Sequence, residues 1–170
     1  MPGKSASRRT LADIFQHARD HFEGMEPLRQ LVEIELKRKP EDFGLLKMMG
    51  EILFYQDEHK DALPWLQKAI KQKPRDDDLN AELGMSLYKM KRYGEALPYL
   101  ENTLKRYPKD YDQQMMVGYA FFKMDRRNEA AVHLQAALTH DVDFESYSRE
   151  ITELALAGLT QKPGNRRPAP

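Results

Sequence analysis

The chain has 170 residues, enough for one ordinary domain with a hydrophobic core. Its 27 basic and 27 acidic residues cancel to a formal net charge of zero, so no global field draws it to nucleic acid or to an anionic membrane. The absence of cysteine excludes disulfides, thiolate metal sites and a cysteine nucleophile.

Residues 1–8 are small, polar and basic, and are predicted to be disordered. The apolar residues that follow are interrupted by Asp13, His17, Arg19 and Asp20, which argues against a secretory signal peptide. No window anywhere approaches the run of about 18 apolar residues that a membrane span needs. The expectation is therefore a cytoplasmic protein without a membrane span.

The first predicted element is a helical hairpin over residues 9–42. Thr10 with Asp13 three positions on reads as a capping pair. Leu11, Ile14, Phe15, Ala18 and Phe22 recur at helical spacing. Gly24 and Pro27 punctuate the start of a second helix, whose apolar face is Leu28, Leu31, Val32 and Leu36.

From there the chain repeats itself every 34 residues. Gly50, Gly84 and Gly118 keep that step, as do Ala62, Ala96 and Ala130, and Leu66, Leu100 and Leu134. Pro40, Pro74 and Pro108 share it. A fixed period of this length predicts a helix–turn–helix unit that stacks into a solenoid. The three clear units are residues 43–76, 77–110 and 111–144. In each, a small residue on the first helix and another on the second mark a close crossing. The bulky residues beside them (Met49, Leu83 and Val117; Leu53, Leu87 and Phe121) fill the interior. Asp76, Asp77 and Asp78 read as a helix N-terminus, where negative charge suits the macrodipole. In the hairpin at 9–42, Gln16 and Leu28 stand where the period asks for small residues, as in a degenerate terminal unit. A last amphipathic helix is predicted at 145–160, closing the stack, and a Pro/Gly/Arg-rich tail at 161–170 is predicted to be disordered.

These residues resemble the tetratricopeptide repeat (TPR) family. The middle unit reads Leu83-Gly84, Leu87, Tyr88, Tyr93, Ala96, Leu100 and Pro108. The unit before it reads Met49-Gly50, Leu53, Phe54, Ala62, Leu66, Ala69 and Pro74, and the unit after it Val117-Gly118, Phe121, Phe122, Ala130, Leu134 and Ala137. The family's leading Trp is replaced by Leu46, Asn80 and Gln114, and its closing Pro by Val142 in the last unit. The resemblance implies an all-α fold, a right-handed α-solenoid of helical hairpins with a C-terminal capping helix. It also implies a scaffold that holds a peptide or partner protein in a concave groove lined by the first helices.

Helical projection places Lys47, Glu51, Phe54 and Tyr55 on the groove face of the first unit. The second offers Asp78, Ala81, Met85, Tyr88 and Lys89, and the third Asp112, Met115, Tyr119, Phe122 and Lys123. Phe54, Tyr88 and Phe122 form an aromatic ladder that serves either as packing or as contact surface. Met85, Met115 and Tyr119 make a soft patch suited to partner contact. One TPR subgroup grips the C-terminal carboxylate of heat-shock chaperones with Lys, Asn and Arg. Of those positions only Lys47 matches; the others read Glu51, Met85, Asp112 and Met116, so that ligand is not expected.

His17 and His21 lie four apart on one helix with Asp13 and Asp20 beside them, a spacing that can chelate zinc but equally suits the solvent side of an amphipathic helix. His59, His133 and His140 are scattered and expected to be exposed. No metal, cofactor or catalytic residue is assigned, and an enzyme is not expected. Three roles follow: a peptide-binding adaptor, a small chaperone similar in layout to those of type III secretion translocators, or a self-assembling scaffold.

Overall fold

The computed structural model describes residues 10–21, 24–140 and 156–157. The tails at 1–8 and 161–170 lie outside the described residues, and so does the predicted helix at 145–160 apart from Leu156 and Ala157, which are helical. Among the described residues there are eight helices and no strand. They fall into two compact units that divide after Pro74.

The first unit holds α1 (Leu11–His21), α2 (Met25–Arg38), α3 (Phe43–Tyr55) and α4 (His59–Gln72). Thr10 caps α1 as its spacing with Asp13 predicts: the Asp13 amide donates to Thr10 Oγ1 at 3.2 Å, and the Thr10 amide donates to Asp13 Oδ2 at 2.8 Å. Gly24 supplies the left-handed φ of 75° at which the chain enters α2. Antiparallel neighbours α1/α2 and α3/α4 form hairpins, and α2 packs on α3. Leu28 and Val32 of α2, Leu46, Met49, Ile52 and Leu53 of α3, and Leu66 of α4 are fully buried. From α1 only Phe15 and Ala18 are buried among the described side chains.

The second unit repeats that construction with α5 (Asp77–Lys89), α6 (Tyr93–Arg106), α7 (Tyr111–Lys123) and α8 (Arg127–His140). Here α5/α6 and α7/α8 are the hairpins, and α6 packs on α7. Leu79, Leu83 and Leu87 of α5 and Ala96 and Leu100 of α6 are buried, as are Val117, Ala120 and Phe121 of α7 and Ala130 and Leu134 of α8.

Three local devices recur at the repeat interval. Asp42, Asp76 and Asp110 each cap a first helix, accepting at 3.0 Å from the amides of Leu45, Leu79 and Gln113. Each first helix ends in a left-handed residue, Asp57, Lys91 or Asp125, with φ near 60°. The amides of Glu58, Arg92 and Arg126 then reach back to the carbonyls of Leu53, Leu87 and Phe121 at 2.9 Å, satisfying an orphan acceptor as a Schellman turn does. Glycine then permits the crossing: a Cβ on Gly84 would lie 2.7 Å from Leu100 Cδ2 and 3.1 Å from the Leu100 backbone nitrogen, and one on Gly118 would lie 2.7 Å from Leu134 Cγ.

Pro64 and Pro98 sit in the second turns of α4 and α6, and both helices run through them. Each ring releases one carbonyl four residues back, on Lys60 and Gly94, which are exposed and can bond water.

Candidate functional site

In the second unit, Met85 and Tyr88 of α5 and Met115, Tyr119 and Phe122 of α7 are half-buried, while Lys89 and Lys123 are exposed. The structure brings three rings together. Tyr88 meets Tyr93 at 5.6 Å between centroids and Tyr119 at 6.1 Å, and Tyr93 meets Tyr119 at 6.2 Å, each edge to face. Phe122 extends the group, 6.1 Å from Tyr119. Edge-to-face contact aligns the positive rim of one ring with the negative face of the next, so the rings hold one another in place.

Tyr93, which the groove projection omits, is the third corner of this triangle. It stands at the head of α6 rather than on a first helix. The spacing Tyr88–Tyr93 crosses a turn and Tyr119 comes from another hairpin, so no helical wheel groups them.

Burial, reinforced by Tyr119 and Tyr93, pushes the Tyr88 hydroxyl well above the usual tyrosine range, so it stays a neutral donor. The Lys123 ammonium sits 4.9 Å over the Tyr119 ring and 5.9 Å over Phe122. A hydrogen bond to Tyr119 raises its pKa above that of an ordinary lysine, so its charge is secure. Along α5 and α7 the first turn is acidic (Asp78, Asp112), the middle carries Met and Tyr, and the last residue is Lys89 or Lys123. This graded face can take an apolar segment in its middle and orient it by charge at its edges.

The first unit differs. Phe54 is half-buried against Tyr55 at 5.5 Å and His59 at 5.4 Å. Glu51, expected on the open face, is only 6% exposed. Its carboxylate lies 3.8 Å from the Lys47 ammonium, which offsets the cost of burying both charges. The pair thus answers itself rather than facing outward.

Two of the scattered histidines are not exposed as expected. His59 packs on Phe54, with Nε2 3.0 Å from an Asp57 oxygen. His133 is half-buried, stacked on Phe121 at 5.5 Å, with Nδ1 2.8 Å from Gln114 Oε1. The Gln114 amide group donates to the Pro108 carbonyl at 2.8 Å, which turns its oxygen toward the imidazole and makes Nδ1 the donor. Asn80 is buried too, donating to the Asp76 carbonyl at 2.8 Å and accepting from Asn102 at 3.3 Å. The polar residues at the positions of the missing Trp are therefore paired in the interior. The side chains of Asp20, His21 and His140 lie outside the described residues, and no group of three potential metal ligands occurs among the described ones.

A tetratricopeptide repeat family model matches residues 53–118. No curated protein matches the sequence closely enough to serve as a relative. Among solved structures, YrrB, a TPR protein with an unusual peptide-binding site, is similar with a TM-score of 0.74 at 17% identity, over 88% of this chain and 74% of that one. MamA from Desulfovibrio magneticus RS-1 is similar with a TM-score of 0.70 at 20% identity, over 88% of each chain. Residues 53–118 match the tetratricopeptide repeat, and the fold is that of TPR proteins. The fold class is the all-α solenoid of helical hairpins. TPR proteins as a class are interaction scaffolds. No helix among the described residues of this chain is long and apolar enough to cross a membrane.

Proposed function

We propose that this protein is an adaptor whose α5–α7 face, Met85, Tyr88, Lys89, Met115, Tyr119, Phe122 and Lys123, holds a peptide segment of a partner protein in the cytoplasm. The observation that carries the reading is the triangle of Tyr88, Tyr93 and Tyr119 with Lys123 above it. Rings already locked against one another lose little rotamer entropy on binding and offer large contact areas with polar rims. Lys89 and Lys123 would favour acidic residues at one edge of the peptide, and Asp78 and Asp112 basic ones at the other. The narrower role of a chaperone for hydrophobic secreted subunits uses the same face, with a longer apolar client.

The test is capture of partners from a lysate of the source cells, identified by mass spectrometry, with Met115→Ala and Tyr119→Glu combined in one variant. The variant is expected to lose the captured partner while its far-ultraviolet circular dichroism is unchanged. Full retention of the partner by the folded variant would remove the groove reading.

A second reading, self-association, is supported by α2, where Leu31 and Ile34 stand 46% and 50% exposed on the side away from the core. Side chains of this size left in water on a helix are a natural contact between copies.

A further inference from the structure

The first unit contains a cavity of about 340 Å³, lined by Glu33, Leu36, Lys37, Pro40, Trp65 and Lys68. It lies between α2 and α4, both of which pack on α3. It shares no residue with the proposed groove. Leu36 is buried and forms an apolar floor. Pro40 follows the end of α2 and adds a wall that has no amide to satisfy. Trp65, the only tryptophan in the chain, is half-buried and lines the space.

The charges around this apolar floor do not balance. The Glu33 carboxylate is drawn to Arg29, 3.4 Å away, and Arg29 also reaches Glu58 at 3.1 Å. Lys37 and Lys68 are exposed at the rim, and the Lys68 ammonium stands 5.7 Å from the centre of the Trp65 ring. Lys37 has an ordinary explanation in the last turn of α2, where a cation suits the helix dipole. Lys68 does not, because it lies in the interior of α4, with no acidic residue three or four positions away on the helix. The second unit lacks the arrangement: where α2 and α4 bring Lys37 and Lys68, α6 and α8 carry Lys105 and Ala136, and His133 replaces Trp65.

We propose that this cavity is a second binding site, which takes one large aliphatic side chain of an acidic peptide, with the flanking carboxylates paired to Lys37 and Lys68. The volume stands at the lower end of the range for ligand pockets, roughly 300–1,000 Å³, and has room for a large side chain. An indole ring and a leucine floor match an aliphatic side chain, and two lysines beside one glutamate already paired with Arg29 match an anionic partner.

Because Trp65 is the only tryptophan, its emission reports on this site alone. The full chain is titrated with the pentapeptide acetyl-EELEE-amide while tryptophan emission is followed. A saturable change in intensity or wavelength is expected, weakening as salt is raised. The peptides acetyl-EEAEE-amide and acetyl-KKLKK-amide are expected to give none. Lys37→Glu with Lys68→Glu should weaken the apparent Kd by about tenfold or more, since both charges reverse at an exposed rim. Lys68→Gln, milder still, should weaken it measurably with the fold intact. Tyr119→Glu should leave it unchanged, which separates this site from the groove. The proposal is overturned by the absence of a saturable change at millimolar peptide, by equal response to the lysine peptide, or by an unchanged Kd in the charge-reversed variant. Equal affinity for free N-acetyl-leucine would also overturn it, in favour of a small organic acid.

Discussion

Gly84 shows how much a single hydrogen atom can decide. Its missing side chain lets Leu100 drop into the α5–α6 crossing, so any Cβ there must displace the leucine and then the backbone nitrogen behind it. Gly84→Val is expected to destabilise the protein by about 1–3 kcal/mol, the usual cost of overpacking. Urea unfolding checks this, and a midpoint equal to wild type would show that the crossing can yield. His133 is the other residue with a sharp consequence. Burial lowers its pKa below the ordinary 6.5, with the Glu101 carboxylate opposing the shift. The folded protein therefore binds the imidazole proton less readily than the unfolded chain. Its contribution to stability is complete above the unfolded value and is lost as pH falls through the depressed folded one. Thermal melts between about pH 7 and about pH 5 should show wild type losing more stability than His133→Gln. Superimposable profiles would mean that the imidazole has no part in the pH response.

At the level of the element, each first helix is bounded by the same pair of stops, an Asp cap and a left-handed C-terminal turn. The caps bond identically at Asp42, Asp76 and Asp110. Asp76→Ala should cost about 1 kcal/mol, because the Leu79 amide loses its acceptor at a buried helix start. Asp76→Asn should recover most of the loss, and equal stability of all three proteins would deny the cap its role. The Asp76–Asp78 run made this start legible in the sequence, since capping and dipole favour the same residues. The C-terminal turns were not legible. Asp57, Lys91 and Asp125 adopt a conformation that normally signals itself by glycine; aspartate tolerates it better than most residues, but lysine carries no such signal. The Schellman hydrogen bonds and the hairpin packing hold them there.

On the scale of the whole molecule, the open question of assembly rests on α2. If Leu31 and Ile34 join copies of the chain, light scattering should show mass rising with concentration, and Leu31→Glu with Ile34→Glu should abolish the rise. A strict monomer at every concentration would remove self-association and leave the exposed pair as ordinary surface. The repeat itself was legible because one contact generates it. Gly against Leu recurs in α3/α4, α5/α6 and α7/α8, so the constraint prints itself on the chain every 34 residues.

The sequence by itself determined the helices α1–α8, the Thr10 cap and the Asp76–Asp78 helix start, the hairpin period and the small–large crossings, because those depend on residues near one another along the chain or on one repeated contact. Helical projection also assigned Met85, Tyr88, Met115, Tyr119 and Phe122 to the groove face of first helices, and all five are half-buried. Only the tertiary structure decided what those side chains meet. It drew Tyr93 into the ring triangle, left His59 and His133 half-buried, paired His133 with Gln114, and placed Trp65 and Leu36 on one cavity. Helical periodicity fixes the direction of a side chain about its own axis. Which side chain of another helix it faces depends on how the hairpins pack, and that no local pattern contains.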